Sequence, residues 1–360
     1  MKKILFSALV LAFACHTAQS QVRHEIDIPD LKGYQTLKCD FHIHTVFSDG
    51  LVWPTVRVDE AYREGLDAIA LTEHIEYRPH QKDIIASHNR SFEIAEQAAK
   101  NKNILLIKGS EITRSMPPGH SNAIFLSDAD SLDRENYRDA FLAAKRQNAF
   151  IFWNHPGWDA QQPDTTLWWD EHTELLKNGC MHGIEIVNGK YFPEAHQWCL
   201  DKKLTMIGNS DIHQPIQTDI DFAKGEHRGM TLVFAKERSI EGIREALLNR
   251  RTAVYYGENL IGEEIYLKEL FENAIEIKQV KKTNNAVSVT LYNNSDLIFR
   301  LKKTEHDARL VYFRDYSIKP HCQHTITIRL NDGVKSGKVN FEVTNLWVAP
   351  GKGLSYSYDI

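Results

Sequence analysis

Segments typical of β-strands alternate with segments typical of helices along most of this chain of 360 residues. Strands separated by helices of this length form βαβ units and parallel sheets. The predicted strands cover residues 37–42, 68–72, 104–108, 123–126, 150–153, 183–187, 204–207 and 231–235, and the predicted helices 55–64, 91–100, 134–147, 166–177, 194–202 and 239–249. Eight short apolar strands favour a closed barrel. No glycine-rich phosphate loop follows the first strand, which disfavours a dinucleotide-binding fold.

The pattern changes near residue 262, where helical periods give way to alternating apolar and polar residues. The alternating stretches cover residues 286–292, 297–301, 325–330 and 338–343. Asn-Asn, Asn-Asp-Gly and Lys-Pro turns separate them, as in a small antiparallel β-sandwich. The sequence therefore predicts an α/β barrel over residues 21–264 and an all-β, sandwich-like domain over residues 265–360.

The first twenty residues have the pattern of an export signal. Two lysines precede an apolar run at residues 4–14, and small residues follow it. The run is too short for a permanent membrane span. The sequence thus predicts a signal peptide over residues 1–20 and an exported, periplasmic protein with no membrane span. Lipoprotein anchoring at Cys15 is disfavoured, because the residues before it make a poor lipobox.

Histidine is unusually frequent in this chain, with 17 residues. Histidine is the commonest metal ligand and a frequent acid–base group. The 43 Lys and Arg residues against 48 Asp and Glu residues give a formal charge of −5. A nucleic acid is therefore not expected as a stable partner, since no strong basic excess exists to coat it. Among the cysteines, only the pair of Cys180 and Cys199 is considered for a disulfide.

Residues of metal-ligand type gather at the ends of the predicted strands. His42 and His44 point to one face, because strand side chains alternate. The others at or just after strand ends are Asp49, His74, Glu111, His120, His155, Asp211 and His213. In a β/α barrel, this carboxyl-terminal face is where active sites are built. Nine such groups are too many for one ion, and imidazoles with carboxylates suit Zn, Mn or Fe.

The motifs around these residues resemble those of the PHP (polymerase and histidinol phosphatase) metal-dependent phosphoesterases. Six occur in order between about residues 35 and 260: His-x-His-Thr-x-x-Ser-Asp-Gly, Thr-Glu-His, Glu111, Gly-His-Ser-Asn, Asn-His-Pro and Ser-Asp-x-His. The resemblance implies a distorted seven-stranded β/α barrel with two or three divalent ions. It implies one ion at His42, His44, Glu111 and Asp211, a second at Glu111, His120 and His155, and a third at Asp49, His74 and His213. The Ser-Asp-Gly turn and the exported, two-domain layout most resemble the TrpH-like and bacterial phosphodiesterase branches.

The expected reaction is hydrolysis of a small phosphorylated substrate, a phosphodiester or a phosphomonoester, by a metal-bridging hydroxide. His80 or the third ion is expected to assist the leaving group. Arg78 and Arg114, in loops that leave the metal-bearing face, and Arg228 are predicted to bind the phosphate. Two alternatives remain: a metal amidohydrolase, which normally needs a bridging lysine at a strand end, and a non-catalytic exported binding protein.

Further aromatic residues surround the His155 segment. Either they wall the substrate pocket or they belong to the core. These residues are Trp153, Trp158, Trp168 and Trp169. Four histidines on helices or at a strand start, namely His88, His172, His182 and His196, are predicted to be structural.

Overall fold

A computed structural model describes residues 22–360 of the protein. The signal peptide predicted over residues 1–20 lies outside the described residues and stays a prediction. Within the described part of the chain, no helix is long and apolar enough to cross a membrane. The helices are α1 (Pro54–Arg63), α2 (Arg90–Lys102), α3 (Tyr137–Arg146), α4 (Asp170–Lys177), α5 (Pro193–Lys202), α6 (Ile216–Asp219), α7 (Ile240–Leu248) and α8 (Glu264–Ala274).

Strands occur both before and after helix α8. Those before it are β1 (Gln35–Asp40), β2 (Ala68–Leu71), β3 (Leu105–Ile112), β4 (Ser121–Ile124), β5 (Phe150–Trp153), β6 (Gly183–Asn188), β7 (Lys190–Tyr191), β8 (Thr205–Asn209), β9 (Met230–Ala235), β10 (Thr252–Tyr256) and β11 (Asn259–Gly262). Those after it are β12 (Ile275–Lys282), β13 (Ala286–Asn293), β14 (Phe299–Lys303), β15 (Leu310–Val311), β16 (Asp315–Ile318), β17 (Gln323–Leu330), β18 (Lys338–Ala349) and β19 (Lys352–Asp359).

Seven strands form a distorted barrel in the order β1-β2-β3-β4-β5-β6-β8. All of them run parallel except β4, which is antiparallel to both of its neighbours. The ring closes just beyond β1 and β8, where Ile43 and Ile212 form a parallel bridge. The predicted α/β class with a parallel core is therefore confirmed.

Two strands depart from the parallel pattern expected of the barrel. The connection from β3 to β4 has eight residues and no helix, too short for the crossover that a parallel pair requires. Strand β9, predicted as the eighth barrel strand, lies outside the ring and pairs antiparallel with β1. The hairpin of β10 and β11 extends the sheet from β9.

The barrel strands are apolar on both faces. Phe41, Ala70, Ile107, Phe152 and Ile207 pack together in one buried cluster. Neighbouring residues on the same strands point the opposite way and pack under the helices. Strands buried on both faces read as continuous apolar runs, so the few polar residues within them stand out.

The carboxyl-terminal domain is all-β, as predicted, and consists of two packed sheets. One sheet has the order β12-β13-β17-β15, and the other contains β16, β14, β18 and β19. The second sheet joins the barrel domain, since β18 pairs in parallel with β11. Helix α8, which sequence analysis missed, begins where the predicted domain boundary falls and buries Leu267, Leu270 and Phe271. Cys180 and Cys199 are buried free thiols, so the disulfide considered for them does not form.

Candidate metal centre

The nine predicted metal ligands converge at one end of the barrel, beyond the carboxyl ends of the parallel strands. This set, the candidate metal centre, comprises His42, His44, Asp49, His74, Glu111, His120, His155, Asp211 and His213. His120 precedes β4, and because β4 is antiparallel to β3, its start lies at this same end. The structure therefore brings together every residue that the strand-end pattern selected.

Main-chain bonds at the barrel closure hold the first ligands in position. The N–H of Asp211 donates to the carbonyl of His42 at 3.0 Å, and the N–H of His44 donates to that of Ile212 at 3.2 Å. His155 and Asp211 have positive φ angles of 29° and 54°. Such a backbone costs a non-glycine residue about 1–3 kcal/mol and often marks a functional site.

The centre is buried at one side and open at the other. The side chains of His42, His44 and Glu111 have no exposed surface. Asp49 and His213 have exposed side-chain fractions of 22% and 32%. Solvent therefore reaches the centre from the side where Asp49 and His213 lie, while the deepest ligands are shielded.

Three side chains form a first compact group at the base of the centre. The Nε2 atoms of His42 and His44 lie 3.0 and 3.1 Å from the Oδ1 atom of Asp211. These two Nε2 atoms are 3.1 Å apart. One carboxylate oxygen and two imidazole nitrogens at such distances can surround a single ion.

Glu111 organises a second group. Its Oε1 atom lies 3.0 Å from His120 Nδ1 and 3.7 Å from His155 Nε2. Its Oε2 atom lies 2.7 Å from His74 Nδ1 and 3.4 Å from His44 Nε2. The carboxylate of Glu111 thus faces ligands on both sides, which is the arrangement of a group that bridges two ions.

Asp49 is the focus of a third group. Its Oδ1 atom lies 3.2 Å from His213 Nε2, 3.4 Å from His74 Nε2 and 3.8 Å from His44 Nδ1. His74 therefore adjoins both the Glu111 group and the Asp49 group, and His44 adjoins all three. The family resemblance implied a role for His74 at one ion only, and the division of ligands among ions stays a prediction.

Three buried carboxylate oxygens in the centre have no hydrogen-bond partner among the described residues: Asp49 Oδ1, Glu111 Oε2 and Asp211 Oδ1. His74 Nδ1 approaches Glu111 Oε2 closely but without hydrogen-bond geometry. Unpaired buried carboxylate oxygens are costly, and coordination of a cation would satisfy them. The donor set of six imidazoles and three carboxylates fits divalent transition metals.

The charges of the centre are strongly coupled. Burial opposes a charge on His42, but carboxylates led by Asp211 raise its pKa well above the ordinary value. Burial likewise opposes a charge on His74, but Glu111 and a second carboxylate raise its pKa to about 10. Burial and the adjacent His74 lower the pKa of His44 to about 3. Metal ligation requires neutral imidazoles, so a cation held by His42 and His74 would compete with protons for them.

Sequence analysis missed Glu185, a buried carboxylate in β6 that supports the ligands. Its Oε1 atom accepts from His42 Nδ1 at 2.8 Å and from Asn209 Nδ2 at 2.8 Å. Its Oε2 atom accepts from the main-chain N–H of His155 at 2.8 Å. Such a carboxylate fixes the ring orientation of a ligating histidine and leaves its Nε2 free for a metal. A single acidic residue within the apolar strand sequence GIEIVN was a usable signal.

Arg57, in α1, also supports the centre. Its guanidinium donates to the main-chain carbonyls of His44, Ile212 and His213 at 2.9, 3.1 and 2.8 Å. It also pairs with Glu60 at 2.8 Å. This buried arginine ties the ends of β1 and β8 together, although nothing in the local sequence distinguished it from a surface residue of an amphipathic helix.

The prediction that Arg228 binds the substrate was wrong. Its side chain is 1% exposed and donates to both oxygens of Glu64, at 2.8 and 2.7 Å, and to Asp40 at 2.8 Å. The three residues form a closed buried cluster, so the guanidinium has no face toward a substrate.

The other predicted substrate residues are also engaged elsewhere. Arg114 pairs with Glu76 at 2.7 Å and donates to the main-chain carbonyls of Arg134 and Glu135, just before α3. Arg78 donates to the carbonyls of Phe47 and Ala86 at 3.3 and 2.8 Å. Among the described residues, no hydrogen bond or ion pair joins His80 to the candidate metal centre. The structure thus gives both arginines positions in loop architecture, and the assignments of Arg78, Arg114 and His80 stay untested predictions.

The tryptophans near His155 divide into core and surface residues. Trp153 has no exposed surface and stacks on His172 with ring centroids 3.7 Å apart. His172 Nε2 lies 2.7 Å from the carbonyl of Pro118, which fixes the loop that carries His120. Trp158 is 44% exposed and contacts two of the nine ligands. Trp153 and His172 are therefore structural residues that support the His120 loop, and Trp158 borders the open side of the metal centre.

A distorted barrel with a histidine- and carboxylate-lined centre at its carboxyl end defines a class of metal-dependent hydrolases. A solved structure from Bacteroides vulgatus, described as a two-domain protein containing a predicted PHP-like metal-dependent phosphoesterase, is 64% identical to this chain. The match covers 95% of this chain and 100% of that one, with a TM-score of 0.94. The chain belongs to this PHP-like metal-dependent phosphoesterase family.

Two further comparisons concern parts of the chain. Residues 274–359 match the model of an Ig-like domain family. A 5'-3' exoribonuclease from Haemophilus influenzae is 40% identical over 78 residues, which are 22% of this chain and 24% of that protein. The Ig-like match identifies the all-β domain, and its first residue lies at the end of α8.

Proposed function

We propose that this protein hydrolyses phosphate esters with the help of divalent metal ions held at the candidate metal centre. The observation that carries the proposal is the set of unpaired buried carboxylate oxygens on Asp49, Glu111 and Asp211, each surrounded by imidazoles. The family to which the chain belongs supports the same reaction class. Two or three ions of Zn, Mn or Fe suit the mixed nitrogen and oxygen donors.

Divalent ions at such a centre supply an activated water and neutralise the negative oxygens of the phosphoryl group. The chain's own contribution is to hold the donors in place. Glu185 orients His42, and Arg57 fixes the main chain of His44. Asn154 donates to Glu111 Oε1 at 2.7 Å, which orients the carboxylate between its two groups of imidazoles. These contacts preorganise the site before substrate arrives.

The finer assignments belong to this proposal as well. A phosphodiester is the preferred substrate class, because of the likeness of the Ser-Asp-Gly turn and the two-domain layout to phosphodiesterases. The substrate is small and phosphorylated, and a nucleic acid is not a stable partner at a formal charge of −5. Export to the periplasm follows from the amino-terminal pattern.

An amidohydrolase reaction has less support. That reaction normally needs a lysine that bridges two metals, and the two lysines near strand ends are engaged elsewhere. Lys108 Nζ donates to the carbonyl of Ser127 at 3.1 Å, and Lys190 pairs with Asp159 at 2.7 Å. Neither lysine contributes to the candidate metal centre.

The test is turnover of bis(p-nitrophenyl) phosphate and p-nitrophenyl phosphate by protein reconstituted separately with Zn, Mn and Fe. We expect hydrolysis that a chelator abolishes and metal restores, with the diester turned over faster. Panels of amides and lactones serve as the control. Turnover of amides alone would contradict phosphoester hydrolysis, and faster turnover of the monoester would contradict the diester preference.

A further inference from the structure

An exposed indole borders the candidate metal centre. The ring of Trp158 lies 5.5 Å from that of His120 and 5.2 Å from that of His155, measured between centroids. The interplanar angles are 55° and 68°, so neither imidazole stacks flat against the indole. With 44% of the residue exposed, a broad apolar surface faces solvent next to two proposed ligands.

The backbone of Trp158 is held firmly. Its N–H donates to the carbonyl of His155 at 2.9 Å, and its carbonyl accepts from Gln161 and Gln162 at 2.9 and 2.8 Å. The side chain of Gln161 donates to the carbonyl of Arg114 at 2.9 Å, which ties this turn to the loop between β3 and β4. The indole is therefore presented by a fixed turn at a defined distance from the centre.

The other tryptophans of this region are used by the fold. Trp153 is buried, and the indole N–H groups of Trp168 and Trp169 donate to Thr173 and Gln162. The indole N–H of Trp158 has no acceptor among residues 22–360. The ring of Trp158 thus remains available for a ligand beside the metal centre, whereas Trp153 is buried and Trp168 and Trp169 use their indole N–H groups within the fold.

The two arginines predicted to bind the phosphate have partners within the protein. The guanidinium groups of Arg78 and Arg114 are engaged by main-chain carbonyls and by Glu76. Under the proposed function, the metal ions recognise the phosphoryl group. The organic part of the substrate then meets an aromatic surface, and a flat aromatic partner gains most from such a surface.

We propose that Trp158 is a specificity-determining residue that stacks on a planar aromatic or heteroaromatic group of the substrate. This inference rests on the proposed phosphoesterase function. The planar group belongs to the alcohol part of the ester. It is attached within a few bonds of the ester oxygen, because the indole is in contact with the proposed ligands themselves.

The kinetic test compares benzyl phosphate with cyclohexylmethyl phosphate, as monoesters and as methyl diesters. The two alcohols have similar size and acidity, so the main difference between them is a flat ring. For the wild type, we expect kcat/KM to favour the benzyl ester by about tenfold, the size expected for one stacked ring. Trp158→Ala should remove this preference, and Trp158→Phe should retain most of it. The control is Phe313→Ala, which removes an aromatic ring that is 79% exposed in the β domain. This variant should keep the preference for the benzyl ester.

A binding test separates this inference from the proposed function. Calorimetry measures the affinity of the metal-loaded protein for benzylphosphonate and cyclohexylmethylphosphonate, neither of which is hydrolysed. We expect the wild type to bind the benzyl compound about tenfold more tightly, and the Trp158→Ala variant to bind both equally. Equal binding by the wild type, or an unchanged preference in Trp158→Ala, would overturn the role of Trp158. A preference that depends on Trp158 without hydrolysis of any phosphate ester would support the aromatic subsite and refute the proposed function.

Discussion

Two neighbouring clusters of buried charge in the barrel domain differ in whether protein groups satisfy their carboxylates. The candidate metal centre leaves carboxylate oxygens of Asp49, Glu111 and Asp211 without hydrogen-bond partners. The second cluster, Arg228 with Asp40 and Glu64, satisfies all of its carboxylate oxygens. Both oxygens of Glu64 accept from Arg228, and Asp40 accepts from Arg228 and from the main-chain N–H and hydroxyl of Ser210.

In the arginine cluster, protein groups satisfy every carboxylate oxygen, whereas the metal centre has oxygens that only a bound cation would satisfy. Charges taken out of water are stable only when paired and hydrogen-bonded, and the arginine cluster meets that condition with protein groups alone. The metal centre meets it only when cations enter. The two clusters adjoin one another, since Asp40 Oδ1 accepts from the N–H of His42 at 3.3 Å. Burial and charge alone therefore do not identify the functional cluster.

Exchanging an aspartate for asparagine in each cluster gives the largest expected contrast. Asp211→Asn removes a ligand charge, and we expect phosphoesterase kcat/KM to fall by about 10³-fold or more, since metal stabilisation is worth several kcal/mol. Its free energy of unfolding without metal should also fall, because the Asp211 carboxylate supports the charge on buried His42 and accepts from Asn188 Nδ2 at 3.2 Å. Asp40→Asn should lower the stability in the same direction, but it should leave the folded protein active. Kinetics and urea unfolding of both variants measure this contrast, which fails if the two variants lose activity alike.

Breaking the arginine cluster is expected to have the next largest effect. Arg228→Met leaves Asp40 and Glu64 buried without their cation, and removing one partner of a buried pair costs about 3–5 kcal/mol. Urea unfolding of the metal-free protein measures this loss. The control is Arg138→Met, because Arg138 contacts Glu174 through two nitrogens in the same manner but at the surface. We expect little change for the control, and an equally small change for Arg228→Met would contradict a structural role.

Most ligands of the metal centre were predictable because they lie at or just after the end of a strand. Periodicity located the strands to within a few residues, and the parallel arrangement brings their ends to one face. His120 was placed in the loop after the third predicted strand, and the structure has it just before antiparallel β4. The sequence thus indicated which residues gather at this end of the barrel, but not that β4 is antiparallel or that β9 lies outside the ring.

The supporting residues were harder to predict, because their roles depend on contacts distant in sequence. Arg57 contacts carbonyls about 155 residues away, and Arg228 reaches an aspartate 188 positions earlier. Arg228 was mistaken for a substrate residue for this reason. Helix α8 was missed although its buried residues Leu267, Leu270, Phe271 and Ala274 recur at i, i+3, i+4 and i+7, the pattern of an amphipathic helix. Among the supporting side chains, Glu185 left a signal as an isolated carboxylate in a buried strand.

The smallest expected effects come from replacing one glutamate beside each cluster with glutamine, Glu185 at the metal centre and Glu64 in the arginine cluster. Glu185→Gln should weaken metal affinity by about 10- to 100-fold, the usual cost of losing a carboxylate that orients a ligating histidine. The amide group of a glutamine would also face two donors, His42 Nδ1–H and the N–H of His155, with its own N–H group. This clash would change the orientation of the His42 ring. Glu64→Gln changes the same group in the arginine cluster and should lower the stability while leaving the metal affinity of the folded protein unchanged. Metal titration at fixed pH, with unfolding followed in parallel, distinguishes the two. Equal metal affinity in Glu185→Gln and the wild type would mean that the orientation of His42 is fixed by the barrel backbone rather than by the carboxylate.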